Sequence, residues 1–362
     1  MDIQEKACWL ALLSDADVDR NIAKRALYRW TIVAQQPLSA CAPFSAQTLM
    51  EQLPELDALQ AERWQAAFGR ASQAQEILDY WQSQGVDLLT RADPNYPESL
   101  AERLPERWLP YMFFYRGNLH LLERPAVFVS GSSHPAGMAN ATIAALARDL
   151  ASLPVSHCGT YAQGIERLML DTAAAEHAAT ILILPVGLSH AGPILRLGEE
   201  AVERGERLEL SPFTPETTYS PALGNACTRL ATALSDVLVL YDHAGAAADW
   251  PGLSDQVAHG GRVLWWTTGA ATMGSDWTDG GAVAIDTAGQ AARLIRNQLA
   301  LDMESEQGPD SDLPGAYDSL DTVQFQSADS AIARLARTGR VPESLVRRLR
   351  DAERRGNLGD VD

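Results

Sequence analysis

Short apolar runs recur along the middle of the chain at a nearly regular spacing. They are AVFVSGS (126–132), LPVSHCG (153–159), ATILILPVG (179–187), RLELSP (207–212), DVLVLYD (236–242), GRVLWWTTG (261–269) and GAVAIDT (281–287), and most begin about 25–29 residues after the previous one. This interval accommodates one strand, one helix and two short loops, and continuous apolar runs are typical of strands buried on both faces. The pattern predicts an α/β protein with a doubly wound, mostly parallel sheet.

Residues 1–90 have a different pattern, without strand alternation and rich in Ala, Leu, Gln and Glu. This composition predicts a small helical domain ahead of a sheet domain at 91–301. Large side chains at helical spacing are interpreted as its core rather than as platforms for stacking nucleobases. The expected core residues are Trp9, Leu10, Leu13, Tyr28, Trp30, Trp64 and Trp81.

The last sixty residues divide into an acidic part and a basic part. Residues 302–330 contain eight acids and no base, with few large apolar side chains, and they are predicted to be an acidic linker. Residues 331–362 contain eight bases against five acids. They are predicted to form a short helical tail of two helices, which is broken near Val341 and Pro342 and rich in arginine in its second half.

The balance of charge limits the ways in which the chain can bind nucleic acid. It has 47 acids and 29 bases, a net charge of −18, and its only lysines are Lys6 and Lys24. Nonspecific affinity for a phosphate backbone comes from cations that displace condensed counterions, so the molecule as a whole gains none. Any nucleic-acid function must therefore use a local basic patch, and the arginine-rich tail contains the only cluster of bases.

Compartment and cofactors are predicted from what the sequence lacks. No stretch reaches the roughly 18 apolar residues of a membrane span, and the acidic start does not resemble a signal peptide. The four cysteines lie far apart without a CxxC pair, which favours reduced thiols in the cytoplasm. The seven histidines have no metal-ligand spacing, so neither a metal nor a cofactor is expected.

Two loops that follow predicted strands carry the residue types of an anion site. SGSSHPAG (130–137) follows the first apolar run and CGTYAQGIE (158–166) follows the second. In a parallel sheet such loops meet helix N-termini, where backbone N–H groups attract anions. Neither loop matches the dinucleotide pattern GxGxxG or the triphosphate pattern GxxxxGK[ST]. A binding site and a pair of plain strand-to-helix turns fit the spacing equally well.

A series of motifs in fixed order resembles the DprA/Smf DNA-processing family. DPNYPESL (93–100), LPYMFFYRGN (109–118) and GSSHPAG (131–137) are similar to the motifs D-P-x-Y-P-x-x-L, P-x-x-L-x-x-x-G-N and G-S-R-x-x-S-x-Y-G. CGTYAQGIE resembles S-G-x-A-x-G-I-D with one additional residue, and LSPFTPETTYSPALGNACTRLATALSD (210–236) resembles a divergent branch. The resemblance covers about residues 1–295.

The resemblance implies a Rossmann-like domain of the SMF/LOG superfamily behind a sterile-alpha-motif-like helical domain. It implies a non-catalytic protein that binds single-stranded DNA, forms a homodimer and loads a RecA-type recombinase during natural transformation. Related superfamily members bind small nucleotide-derived ligands, some of them in phage defence. The partner would accordingly be single-stranded DNA or a small nucleotide ligand, together with a recombinase or a defence protein, and no membrane.

The residues that match the family's binding loops form the predicted site. They are Gly131, Ser132 and Ser133 on one loop, Gly159, Thr160, Gly164 and Glu166 on the next, and Asn225 and Arg229 on a third, and all three loops are expected to meet at one rim of the sheet. Ser133 stands where the family has arginine, and Cys227 replaces another, so the cationic pocket is predicted to be degenerate. The tail arginines Arg347, Arg348, Arg350, Arg354 and Arg355 are predicted to contact DNA or a partner instead.

Three functions remain open from the sequence. The first is a DNA-processing protein with a weakened pocket, the second is a sensor or hydrolase of a small nucleotide-derived ligand, and the third is a protein–protein adaptor that has lost the site. Glu166 is either a general base for the second function or a favourable charge at a helix N-terminus. Ser130 resembles a nucleophile turn without the GxSxG pattern or an identifiable base.

Overall fold

The computed structural model describes residues 1–135, 137–241, 250–259, 262–266 and 282–306. The N-terminal part is helical, with a π-helical turn at Tyr28–Val33 between its second and third α-helices. Side-chain caps begin four of these helices: Asp2, Asp19, Ser45 and Asp57 each accept a hydrogen bond from a backbone N–H of the first turn. The five helices are α1 (Ile3–Leu13), α2 (Arg20–Leu27), α3 (Ala46–Gln52), α4 (Ala58–Phe68) and α5 (Ala71–Ser83).

Nine strands form one sheet, and the seven predicted apolar runs each contain one of them. The strands are β1 (Asp87–Thr90), β2 (Met112–Gly117), β3 (Ala126–Gly131), β4 (Ser156–Gly159), β5 (Ala179–Ile183), β6 (Arg207–Ser211), β7 (Val237–Tyr241), β8 (Arg262–Trp266) and β9 (Val283–Ile285). Their order is β1-β2-β6-β5-β4-β3-β7-β8-β9, and the seven strands from β3 to β9 are parallel. This order confirms the predicted Rossmann-like, mostly parallel sheet.

The sequence pattern missed β1 and β2, which extend one edge of the sheet in antiparallel register. An ionic cluster fastens β2 to its neighbour: Arg116 Nε lies 2.9 Å and Arg207 Nε 2.8 Å from the carboxylate of the fully buried Glu209. Burial raises the pKa of Glu209, against the effect of the two guanidinium groups. The contact between Arg116 and Glu209 joins residues 93 positions apart and leaves no periodic signal in the sequence.

Helices cover both faces of the sheet, as the double winding requires. The remaining helices are α6 (Glu98–Arg103), α7 (Gly137–Ala151), α8 (Ile165–Ala175), α9 (Gly192–Leu197), α10 (Glu199–Glu203), α11 (Pro221–Leu234), α12 (Leu253–Ala258) and α13 (Ala288–Glu306). Along β3, Val127 and Val129 pack with α7, α8 and α13, whereas Phe128 faces a second cluster that includes α11 and the N-terminal helices. One continuous core thus joins the helical layer to the sheet.

The predicted core of the N-terminal helices has one error. Trp9, Leu10, Trp64 and Trp81 are buried, but Tyr28 lies on the π-helical turn with 46% of its surface exposed. The extra residue per turn of a π-helix rotates this position away from the face that a regular α-helical spacing predicts. Leu13 and Trp30 are partly buried against the core.

The remaining sequence predictions concern the cysteines, the acidic segment, the tail arginines and membrane-spanning helices. All four cysteines are buried free thiols. Helix α13 continues to Glu306, past the start of the segment predicted to be an acidic linker. The rest of that segment and the tail arginines lie outside the described residues. No helix in the described ranges is long and apolar enough to cross a membrane.

Candidate functional site

The loop after β3 and the loop after β4 lie in direct contact at the carboxyl end of the sheet. The N–H of Ile165 donates to the carbonyl oxygen of Ser132 at 3.2 Å. Gly164, with a φ of 95°, begins α8 so close to the other loop that a Cβ there would lie 2.6 Å from Cα of Ser133. Residues 130–134 and 159–167 are called the glycine rim below. The structure thus brings together the first two of the three predicted loops.

The carboxylate of Glu166 holds the glycine rim together from inside. Its Oε1 accepts from Ser130 Oγ at 2.7 Å, and its Oε2 accepts from the Thr160 N–H at 3.0 Å, from Thr160 Oγ1 at 2.8 Å and from the Ala162 N–H at 3.3 Å. Glu166 is only 5% exposed and lies in the first turn of α8, where the helix dipole favours a negative charge. Four donors occupy it, which favours the helix-terminus interpretation over a general base.

The same hydrogen bonds decide the role of Ser130. Its hydroxyl is 3% exposed and donates to Glu166, so it faces the interior of the rim instead of a bound ligand. Although the sequence around Ser130 resembles a nucleophile turn, its hydroxyl is not exposed to a substrate. Ser133 and His134 are the exposed side chains of this loop, with Ser133 Oγ 3.0 Å from His134 Nδ1.

Sequence reasoning missed the one arginine of the glycine rim. Arg167, with a side chain 52% exposed, lies with its guanidinium carbon 5.0 Å from the centre of the Tyr161 ring. Asp171 accepts a 2.7 Å hydrogen bond from the Tyr161 hydroxyl and lies 3.6 Å from Arg167 Nε. Partial burial, followed by the bond to Asp171, raises the pKa of Tyr161. An arginine directly after the motif's acidic residue was the available signal.

Tyr161 also explains how the longer loop is accommodated. The loop has one residue more than the family motif, and Tyr161 turns the backbone within it at a φ of 62°. A positive φ is uncommon for a residue with a large side chain and occurs where surrounding contacts hold it. Here the Arg167 guanidinium and the Asp171 carboxylate both hold the Tyr161 side chain.

The prediction of a third loop at residues 224–229 is wrong. Gly224, Asn225 and Arg229 lie inside helix α11, which Ser220 caps and Pro221 begins. Arg229 is engaged elsewhere: its NH1 lies 3.4 Å from the Asp255 carboxylate, and its guanidinium stacks 4.5 Å from the centre of the Trp108 ring. Arg229 is therefore not the free cation that the sequence analysis expected at the rim.

His157 lies one residue from the glycine rim and belongs to the core. It is 1% exposed in β4, and neither ring nitrogen has a hydrogen-bond partner. Burial lowers its pKa to about 4, so the ring is neutral near pH 7. Across the described part of the chain, no three His, Cys, Asp or Glu side chains are grouped as metal ligands.

Substituting Gly164 with alanine is expected to lower the free energy of unfolding by about 1–3 kcal/mol, because the residue would keep a strained φ or force the two loops apart. Gly289→Ala is the control, since a Cβ at that position meets no atom within 4 Å. Denaturant unfolding of both variants measures the difference. Equal stabilities would contradict the close contact between the loops.

Comparison with known proteins finds a family that resembles the region of the glycine rim. The model of the DNA recombination-mediator protein A family matches residues 87–246. The chain resembles that family through these residues. Both loops of the glycine rim lie inside the matched region, as does helix α11. The family motifs identified from the sequence therefore coincide with the strand ends that the structure brings together.

Two solved structures are similar to this chain at low sequence identity. DNA processing protein A from Streptococcus pneumoniae matches with a TM-score of 0.57 and 16% identity, over 81% of this chain and 98% of that chain. The Helicobacter pylori protein, described with a single-stranded DNA binding mode, gives 0.48 and 18%, over 59% of this chain and 96% of that one. No curated protein matches the chain. The first structure supports the Rossmann-like fold of this chain.

Proposed function

We propose that this chain is a DNA-processing protein that binds single-stranded DNA at the glycine rim, through a reduced set of cations and without catalysis. The observation that carries the proposal is that Arg167 and Tyr161 lie on one loop and the exposed Ser133 and His134 on the other, and that the two loops are in contact at Gly164. The match of residues 87–246 to the DNA recombination-mediator protein A family supports it.

The chemistry of the rim suits a phosphodiester strand bound weakly. Helices α7 and α8 both begin here, and the dipoles at their N-termini favour an anion, while the Ile165 and Arg167 N–H groups of α8 already donate to the carbonyl oxygens of Ser132 and Ala162. Arg167 supplies one cation, and Tyr161 supplies a partly exposed aromatic ring that also packs against the core. Because the rim has one arginine instead of several, its contribution to the salt dependence of the affinity is expected to correspond to one displaced counterion.

The proposed binding through this rim is tested by Arg167→Ala. Fluorescence anisotropy with a short labelled single strand at several salt concentrations should show the slope of log K against log salt reduced by about 0.7, the value for one phosphate contact on a single strand. Tyr161→Ala should cost about 1–3 kcal/mol of binding free energy if a base stacks on the ring.

Arg148→Ala is the matched control for this experiment, because Arg148 is exposed at the opposite end of the sheet, in the last turn of α7. It should leave both the affinity and the salt slope unchanged. Binding that persists with an unaltered slope in Arg167→Ala would move the DNA site away from the rim and towards the arginines of residues 347–355.

A second candidate is a small nucleotide-derived ligand, and one observation favours it. A single arginine beside two helix N-termini matches one phosphate group better than a polymer of them. A thermal shift with a nucleotide panel, and none with single-stranded DNA, would select this function. If neither ligand shifts the melting temperature, the remaining function is that of a protein–protein adaptor. Homodimerisation, recombinase loading, and a role in transformation or phage defence remain proposals that belong to these alternatives.

A further inference from the structure

An apolar groove lies on the N-terminal helices, which are distant in sequence from the glycine rim. It encloses about 600 Å³ between α1, α5 and the loop that joins β6 to α11. Leu10, Ala74 and Trp81 form its buried floor, while Ile77 and Tyr80 stand 45% and 63% exposed along one side. Two large apolar side chains exposed one helical turn apart and next to a concave floor are typical of a surface that binds an amphipathic helix. This feature is called the α1–α5 groove below.

The edges of the α1–α5 groove are negatively charged. Asp15, Glu76 and Glu216 line it, together with Arg70. Arg70 forms an ion pair with Asp15, whereas Glu76 and Glu216 form no ion pair with any of the described residues. The groove therefore presents two carboxylates without an ion-pair partner among the described residues, one on α5 and one on the loop between β6 and α11. An occupant that carries arginines beside an apolar stripe would complement both features.

Residues 342–355, with the sequence PESLVRRLRDAERR, have that pattern. At 100° per residue, Leu345, Leu349 and Ala352 fall on one face of a helix. Arg348 and Arg355 flank this face on one side, while Arg347, Arg350 and Arg354 lie on the remaining surface. Pro342 is a favourable residue for the first turn of such a helix. A helix of this kind cannot bury its apolar face alone and requires a partner surface.

The chain between the two partners is long enough to connect them. Helix α13 ends at Glu306, and residues 307–341 separate it from the arginine-rich segment. Thirty-five residues reach about 115 Å when fully extended and about 30 Å on average as a random coil. A tethered segment of this length has an effective concentration near the millimolar range, so even a weak contact would be largely occupied.

We propose that residues 342–355 dock as an amphipathic helix in the α1–α5 groove of the same chain. The apolar face with Leu345 and Leu349 covers Ile77 and Tyr80, and the arginines on one side of that face approach one of the two carboxylates, Glu76 or Glu216. Arg347, Arg350 and Arg354 then remain on the outer surface. This contact does not depend on what binds at the glycine rim.

Limited digestion of the full chain with trypsin tests the docking, because the tail carries its own comparison sites. Cleavage after Arg347, Arg348 and Arg350 should be about tenfold slower than cleavage after Arg334, Arg337 and Arg340, which lie in the connecting segment, since proteolysis follows the population of the undocked form. In Ile77→Asp the two groups of sites should be cut at similar rates. Leu349→Asp, on the other partner, should have the same effect.

Val33→Asp is the matched control: Val33 is 65% exposed on the π-helical turn and lies outside the α1–α5 groove. It should leave the protection intact, and unchanged circular dichroism of all variants would exclude unfolding as the cause. Equal cleavage of both groups of sites in the unaltered chain would overturn the proposal. So would protection that disappears on dilution, which would assign the groove to a second copy, or protection that arises only when single-stranded DNA is added.

Discussion

Replacing Glu166 with alanine is expected to lower the free energy of unfolding by about 3–5 kcal/mol and to abolish ligand binding at the glycine rim. The change leaves the Ser130 hydroxyl and both the N–H and the hydroxyl of Thr160 without an acceptor, and all three are buried. Each buried donor that loses its partner costs about 1–3 kcal/mol. Denaturant unfolding and ligand anisotropy measure the two effects.

Two further variants separate the charge of Glu166 from its size. Glu166→Gln keeps the volume but presents an NH₂ group to donors that need an acceptor, so it should lose most of the same stability. Glu176→Ala, which changes an exposed carboxylate at the other end of α8, is the control and should lie within about 0.5 kcal/mol of the unaltered chain. A Glu166→Ala protein as stable as this control would contradict the carboxylate's role in joining the loops.

Acidification is expected to destabilise the protein through His157, by about 3 kcal/mol between pH 6.5 and pH 4. The pKa of this buried imidazole is about 4 in the folded state, against about 6.5 when the chain is unfolded. Below pH 6.5 the unfolded chain therefore binds a proton that the folded chain does not, and stability falls by about 1.4 kcal/mol for each pH unit. The loss is complete once the pH is below 4.

His157→Leu removes this titration, and the comparison with the unaltered chain cancels the contribution of every other group. The difference in free energy of unfolding between the two proteins should change by about 3 kcal/mol from pH 7 to pH 4, with the variant favoured at low pH. His190→Leu is the control, because His190 is exposed at the turn before α9. A difference that stays constant with pH would show that His157 is already protonated or solvated in the folded protein.

The sequence predicted the parallel sheet well, because its strands are buried on both faces and their apolar runs need no partner to be recognised. The first two binding loops followed from the same pattern, since the carboxyl ends of neighbouring parallel strands meet at one edge. Strands β1 and β2 escaped prediction because an antiparallel edge lacks the interval of a crossover helix. The π-helical turn that exposes Tyr28 likewise has no signature in the spacing of side chains.

The site itself was predicted in part. Gly164 and Glu166 were identified from motif order, but the four donors to Glu166 come from the ends of two strands and from a turn, and such convergence exists only in three dimensions. The error at residues 224–229 was avoidable: Ser220 followed by Pro221 is the signature of a helix start, and it outweighs a family motif interpreted as a loop. The partners of Arg229 lie at Trp108 and Asp255, beyond the reach of any local pattern.

The burial of every native thiol has a practical consequence for labelling. Burial raises the pKa of Cys8 to about 11 and that of Cys41 and Cys158 to about 12, and Cys227 is shifted in the same direction. Alkylating reagents attack the thiolate, which is scarce at neutral pH for groups of this kind. A single cysteine introduced at an exposed position such as Gln47 would therefore react selectively with a fluorophore or spin label, without removal of the four native residues.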